Sequence, residues 1–553
     1  MDSEKRQVDQ ISNYSAKEET KIENLADEHD HEIRSASSLE SQESEKPVLK
    51  RSLKARHLAM ISLGGVIGQG LFLSAGGNLN RAGPAGALIA YAIIGFIVFW
   101  VTFSLGEMAT YIPVSGSFTV FCRRFVDKSF GTTIGYNYFM CWSIIVAAEL
   151  VALPLVMSFW TDVVPDWAWS GIFLVIIYIL NMFGARSYGE AEYWFSAIKI
   201  IAVLVFIIVG CITSGGLIGQ DNPHEVYGFK YWSNPGAFSN GALGVVNAFV
   251  LASFSMQGTE IVGITAGECE NPLKQVPRAI KNVFWRIIIF YLGSVFVMGM
   301  LIPYDDPRNL NAGSGVTVSP FTIVFEKAGL SSVAHIMNAV ILITVLSCAN
   351  SGMYVSSRML CALSKEGLAH PKFGYINKRG VPVWSLTLTG IIGLVTFATS
   401  FIPGKALFVV LTDLSGVAGF VTWAGICLAH YRFRKALKYH GRSVAQLPIK
   451  APFHPFGDIF GMVACVVISL MAGYSYFVPA DPVGLIGNYG GLVVVVILFV
   501  VLKLYTKSKL IPIAEIDIDS GRAEYETFNK DEEEVIQGPW WKRALKQIVH
   551  IVT

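Results

Sequence analysis

Residues 59–72 read AMISLGGVIGQGLF. The stretch is apolar enough to enter a bilayer, yet it carries glycines at 64, 65, 68 and 70 and a glutamine at 69, where a stable spanning helix is better served by leucine. Inside a membrane, unwound backbone is tolerated only where protein or a watery cavity satisfies its N–H and C=O groups. The stretch therefore predicts a helix broken on purpose. The same letters allow a plainer reading, in which Gly64 and Gly68 form a GxxxG face for close helix packing.

Working outward, the chain has 553 residues, 53% of them apolar and only 15% charged, a balance that marks an integral membrane protein. Apolar runs fall at 59–78, 85–108, 131–158, 167–184, 193–213, 241–262, 283–302, 332–352, 383–402, 406–430, 457–479 and 486–505. Runs of about 20 residues suit helices crossing a core of about 30 Å, and they exclude a β-barrel, whose strands are short and alternating. The prediction is an all-α membrane protein with twelve transmembrane helices. Net charge is +2, which gives no sign of nucleic-acid binding. The eight cysteines lie in or beside the apolar runs and suggest packing rather than a disulfide framework.

Residues 1–49 read as a polar, disordered tail, 50–505 as the membrane domain and 506–553 as a second charged tail. The rear tail holds the acidic run 531–534 and then Trp540-Trp541-Lys542-Arg543, a sequence suited to a membrane surface. With the amino terminus inside, internal loops and adjoining helix ends hold nineteen Lys and Arg, Arg286 among them, against five outside. That asymmetry predicts both tails in the cytoplasm.

A second interruption appears at Phe254-Ser255-Met256-Gln257-Gly258-Thr259-Glu260, where a glycine and a carboxylate sit deep in the sixth apolar run. Breaks in runs one and six predict an inverted five-plus-five repeat with a midplane site. Half-helix ends turn N–H groups toward an anion and carbonyls toward a cation, which suits a ligand bearing both charges, such as a free amino acid.

Several longer stretches carry a resemblance. They are Arg51-Ser52-Leu53-Lys54-Ala55-Arg56-His57 ahead of GGVIGQGLF, Ser104-Leu105-Gly106-Glu107-Met108-Ala109, Gly258-Thr259-Glu260, Ala266-Gly267-Glu268 with Asn271-Pro272, Val276-Pro277-Arg278-Ala279-Ile280, and Ser356-Ser357-Arg358-Met359-Leu360. Over roughly residues 50–520 the chain resembles a fungal amino-acid permease of the amino acid–polyamine–organocation superfamily, and most of all the basic amino-acid permeases. The resemblance implies a LeuT-like fold of ten core helices plus two, and a proton-driven importer in the plasma membrane. It also implies a substrate carboxylate on the backbone of Ile67, Gly68, Gln69 and Gly70. The ammonium would be taken by carbonyls near Gly64 and in the stretch from Phe254 and Ser255 to Gly258. Gln69 departs from the small hydroxyl residue frequent in similar permeases.

Other side chains join these. Glu149 lies inside the third run, where an ionised carboxylate costs about 3 kcal/mol or more unless it faces a cavity or partner. Cys141, eight residues earlier, shares its helix face. Ser415 lies in a stretch of the tenth run that lines the side-chain pocket of similar permeases. Lys199 stands more than one turn inside the fifth run. Either it snorkels to the interface, or, as the resemblance implies, its ammonium replaces the ion of sodium-driven relatives and serves proton coupling. Glu149, Glu107 and Glu260 are the other membrane carboxylates open to that task, and Glu107 sits where it could instead anchor a loop.

No nucleotide-binding, hydrolase or metalloprotease motif occurs, and the ten histidines show no ligand spacing, so neither enzyme chemistry nor a cofactor or metal is expected. The reading is an importer of cationic amino acids, with Glu149 opposite the substrate side chain. A neutral or broad-range permease is the alternative, and a sensor on a transporter fold is the alternative of another class. The tails suit ubiquitin-controlled turnover, with Lys5, Lys17 and Lys21 available.

Overall fold

The computed structural model describes residues 55–522, except 66, 115, 162, 220–224, 267–271, 309–318, 445, 446 and 448. The expectations for residues 1–49, Glu268, Asn271 and the end of the rear tail lie outside the described residues. The fold is all-α, with no strand among the described residues.

Helix α1 (Ala55–Met60) continues through a widened turn, Ile61–Gly65, and the chain leaves helical geometry at Ile67 and Gly68. A second widened turn, Gly70–Ser74, leads into α2 (Ala75–Tyr111). The first two apolar runs are thus continuous beyond the break, and α2 turns at Gly83, φ 76°, followed by Pro84. A side chain at Gly83 would meet the carbonyl of Ala237 at 2.6 Å, so the turn needs glycine twice over.

Next come α3 (Phe118–Phe125), α4 (Lys128–Met157), α5 (Asp166–Asn181), α6 (Ala185–Ser214) and α7 (Gly241–Met256). The side chain of Asp127 caps α4 by accepting from the amides of Ser129 and Phe130. After α7 the backbone unwinds over 257–260 and resumes as α8 (Ile261–Thr265). Then α9 (Pro272–Trp285) runs through a widened turn, Arg286–Leu292, into α10 (Gly293–Leu301). The rest is α11 (Pro320–Lys327), α12 (Ser331–Lys365), α13 (Val383–Gly393, tightening over Leu394–Ser400), α14 (Gly404–Tyr439), α15 (Phe456–Met471) and α16 (Pro482–Thr506).

Among the described residues ten helices are long and apolar enough to cross a membrane, against the twelve runs of the sequence. Two causes account for the difference. Runs one and two share the helix that turns at Gly83, and run four forms only the 16-residue α5.

The interior is built by α4 packing on α12 and α14, and by α2 packing on α7. On the periphery α16 buries only Gly487 and Asn488 and leaves Val493, Val494 and Ile497 exposed, as a lipid-facing helix does. From Thr506 to Arg522 the chain stays against the body. Ile511 donates its amide to the carbonyl of Val126, Ile516 and Ile518 are buried, and Arg442 pairs with Asp519. The segment read from sequence as a second charged tail therefore begins docked on the helical body.

Candidate functional site

The two breaks touch. A β-carbon on Gly70 would stand 2.4 Å from Cα of Ser255, so glycine is what lets the turn after the first break lie against the end of α7. At the first break, the amide of Ile67 donates to the carbonyl of Gly64, and the carbonyl of Gly68 accepts from Leu71 and Phe72. At the second, Gln257 is extended and Gly258 has φ 91°. The amide of Gly258 donates to Oε1 of Glu260, which also accepts from the hydroxyl of Tyr138, while Oε2 accepts from the indole of Trp423. Glu260 is thus a fully partnered brace of the break. Ile67 and Phe254 are buried beside the two breaks, and the Ser255 hydroxyl pairs with Tyr91 at 2.8 Å.

Glu149 comes to this place from α4. Its side chain is 0% exposed, and neither carboxylate oxygen has a hydrogen-bond partner among the described residues. The thiol of Cys348, on α12, lies beside it, and the charge of Lys199 reaches it through space. A β-carbon on Gly68 would sit 2.8 Å from Sγ of Cys348 and 3.9 Å from Oε1 of Glu149. The break, the thiol and the carboxylate form one small cluster. Gln69 is also fully buried, and its amide has no partner among the described residues.

Two helices, α4 and α14, meet at Gln257. Its amide nitrogen donates to the carbonyl of Ser415, and Cys141 lies 3.7 Å from Oε1 of Gln257 and 3.6 Å from the same carbonyl. Ser415 differs from expectation here. Its hydroxyl turns back to the carbonyls of Leu411 and Thr412 on its own helix, and only its carbonyl faces the second break.

Lys199 does not snorkel. It is 0% exposed, its Nζ donates to the Ser347 hydroxyl at 2.7 Å, and it lies 3.4 Å from Oε1 of Glu192. Ser347, 2.8 Å from both Glu192 oxygens, donates onward to that carboxylate. Lys199 on α6 is thus joined to α12 through a neutral relay and a buried anion. Gly64 packs on the same helix: a β-carbon there would stand 2.6 Å from that of Ser196, so the packing reading holds at this position.

Glu107 belongs to a different cluster. Its carboxylate pairs with Arg434 and His430 and accepts from the amide of Ala451. His430 also pairs with Asp458, which is held by Ser104 and His454. The His430, His454 and Asp458 ligand atoms lie within 4.8 Å of one another, a proximity invisible in the sequence spacing. These contacts tie α2, α14 and α15 together, which is the anchoring alternative for Glu107.

Glu192 and Arg286 are buried charged residues that the sequence reading missed. Glu192 is seven residues before Lys199, two turns along one face, but the apolar run was drawn from 193. Arg286, counted with solvated helix ends, is 0% exposed, although it already lay three residues inside the run 283–302. Its guanidinium donates to the carbonyl of Ser62 at 2.6 Å and to the hydroxyl of Thr259 at 2.5 Å. Ser347 and Cys348 carried no usable signal, because their importance comes from facing α4 and α6.

Residues 57–513 match the family model described as amino acid permease. The chain is 42% identical over 481 residues to the lysine-specific permease LysP of Escherichia coli (strain K12), covering 86% of this chain and 98% of that protein. It is 41% identical over 497 residues to the lysine-specific permease of Saccharomyces cerevisiae, covering 88% and 81%. It is also 41% identical over 528 residues to the basic amino-acid permease of the same yeast, covering 93% and 91%.

Proposed function

The chain belongs to the amino acid permease family, whose members are membrane transporters and not enzymes, and we propose that it imports cationic amino acids, lysine and arginine, by proton-coupled alternating access. The observation that carries this reading is Glu149: a fully buried carboxylate beside a helix break, with both oxygens unpartnered among the described residues. A buried carboxyl of this kind is ionised only with a cation beside it, and a substrate ammonium or guanidinium supplies one in a medium where the attraction is far stronger than in water. The substrate's own carboxylate docks on the unwound backbone around Ile67, Gly68, Gln69 and Gly70. Its α-ammonium meets carbonyls near Gly64 and from Phe254 and Ser255 to Gly258, and Cys141 and Ser415 border the side-chain end.

Lys199, with Glu192 and Ser347, serves proton coupling, because this buried group of titratable and hydroxyl side chains bridges its helix and α12 beside the Tyr188–Tyr354 stack and can pass a proton. Glu149 takes part, since a cationic substrate and a proton compete for the same carboxylate. Glu260 and Glu107, each already held by several donors, act as a brace and an anchor. The protein works in the plasma membrane with both termini cytoplasmic, and Lys5, Lys17 and Lys21 in the front tail are acceptors for ubiquitin-ligase machinery. The names of the relatives, lysine-specific and basic amino-acid permease, support the cationic substrate. A broad-range permease is the second reading, favoured by 39% identity over 486 residues to the amino-acid permease GAP3 of Candida albicans. Uptake of labelled lysine in transport-deficient cells separates them: arginine competes and leucine does not under the first reading, and both compete under the second.

A further inference from the structure

Arg286 is a buried cation whose two direct hydrogen-bond partners are both uncharged. Its Nη1 reaches the carbonyl of Ser62, in the widened turn that ends at the first break, and its Nη2 reaches the hydroxyl of Thr259, in the middle of the second. That hydroxyl is itself fixed, donating to the carbonyl of Met256 at the end of α7. Among the described residues Nε has no partner and no carboxylate lies within ion-pair distance of the guanidinium; Glu260, the acid of the second break, has its own oxygens held by Tyr138, Gly258 and Trp423. Burying a guanidinium without a carboxylate in contact is costly, and an apolar side chain would pack there more readily. Stability alone does not account for it. What an arginine adds is geometry, because its planar fork presents donors in two fixed directions and can hold two separate backbones at once.

We infer that Arg286 is a positioning residue that clamps the two broken helices to each other, so that both halves of the substrate-binding backbone keep one mutual geometry. It stands on a third element, the turn between α9 and α10, and touches neither Gly68 nor Glu149 in the contacts of the site. The inference rests on the reading that substrate docks between the breaks. Its structural core, however, can be tested without substrate.

The test is amide hydrogen exchange on the full-length protein in lipid nanodiscs, comparing wild type with Arg286→Lys and Thr259→Val. Lysine keeps the charge but cannot span both acceptors, and valine removes one acceptor at constant shape. Each variant is expected to speed exchange about tenfold in both 61–65 and 257–260, although Thr259→Val alters only the second stretch. Loosening confined to 257–260 in Thr259→Val, or protection unchanged in Arg286→Lys, would overturn the clamp. With the same proteins reconstituted in sealed vesicles, labelled-lysine KM for uptake should rise about tenfold in both variants while maximal rate per protein changes less. An unchanged KM would remove the positioning role. Wild-type protein that shows the coupled exchange but takes up no lysine would leave the clamp standing and sink the cationic-substrate reading.

Discussion

Gly70 has no room for even a methyl group, since its β-carbon would fall 2.4 Å from the backbone of Ser255. Gly70→Ala should therefore force the breaks apart, at a cost of about 1–3 kcal/mol in packing, and abolish uptake while a large share of the protein still reaches the surface. Uptake near the wild-type rate would mean that the two breaks need not touch. Gly68 is less severe, because what its β-carbon meets is the end of the Cys348 side chain. For Glu149, the informative change is Glu149→Gln, which keeps shape and removes charge. Lysine and arginine uptake should fall at least tenfold, as for a lost charged hydrogen bond, and residual neutral uptake much less; equal losses would assign Glu149 to coupling alone. Lys199→Ala should lose accumulation against a gradient but keep some exchange of labelled for unlabelled substrate, because it leaves the docking backbone untouched. Concentrative uptake that survives Lys199→Ala would strip the lysine of this role.

Among elements, the docked segment after α16 makes a pH-dependent contact. Burial works against the charge of Asp127, but the Lys503 ammonium, the Ser508 hydroxyl and the amides of Phe130 and Ser129 outweigh it and hold the carboxyl below its usual range. The sign follows: the contribution is complete above the unfolded value of about 3.9 and is lost as pH falls through the lowered folded value. Residues 511–518 should stay protected from protease at neutral pH, become exposed in strong acid, and become exposed at neutral pH in Asp127→Asn, which can still cap α4. Protection that Asp127→Asn leaves intact would show that the ion pair does not hold the segment. This contact also marks where sequence reading stopped. The breaks were legible because glycines at 64, 68, 70 and 258 are costly in a spanning helix, and their physical reason lies within one stretch of chain. The partners of Glu149 and Lys199 were not, since Cys348 and Ser347 matter only because α12 packs against α4 and α6. Arg286 was misread because positive-inside counting treats a cation near a helix end as solvated, whereas here it is turned inward onto Ser62 and Thr259.

At the scale of the molecule, import requires that proton and substrate bias the same pair of conformations, which a fixed group can do only if its protonation has different free energies in each. Glu149 lies beside the first break, and Lys199 with Glu192 and Ser347 lies between α6 and α12, where under the proposed function the substrate-holding helices meet those that frame them. The direct measurement is labelled-lysine uptake by the purified protein in sealed vesicles with an imposed pH gradient, acid on the side corresponding to the cell exterior. The account predicts transient accumulation above equilibrium, its collapse on adding a protonophore, and its suppression by excess arginine but hardly by leucine. Lysine entry that only equilibrates, whatever the gradient, or that leucine suppresses as well as arginine does, would contradict it.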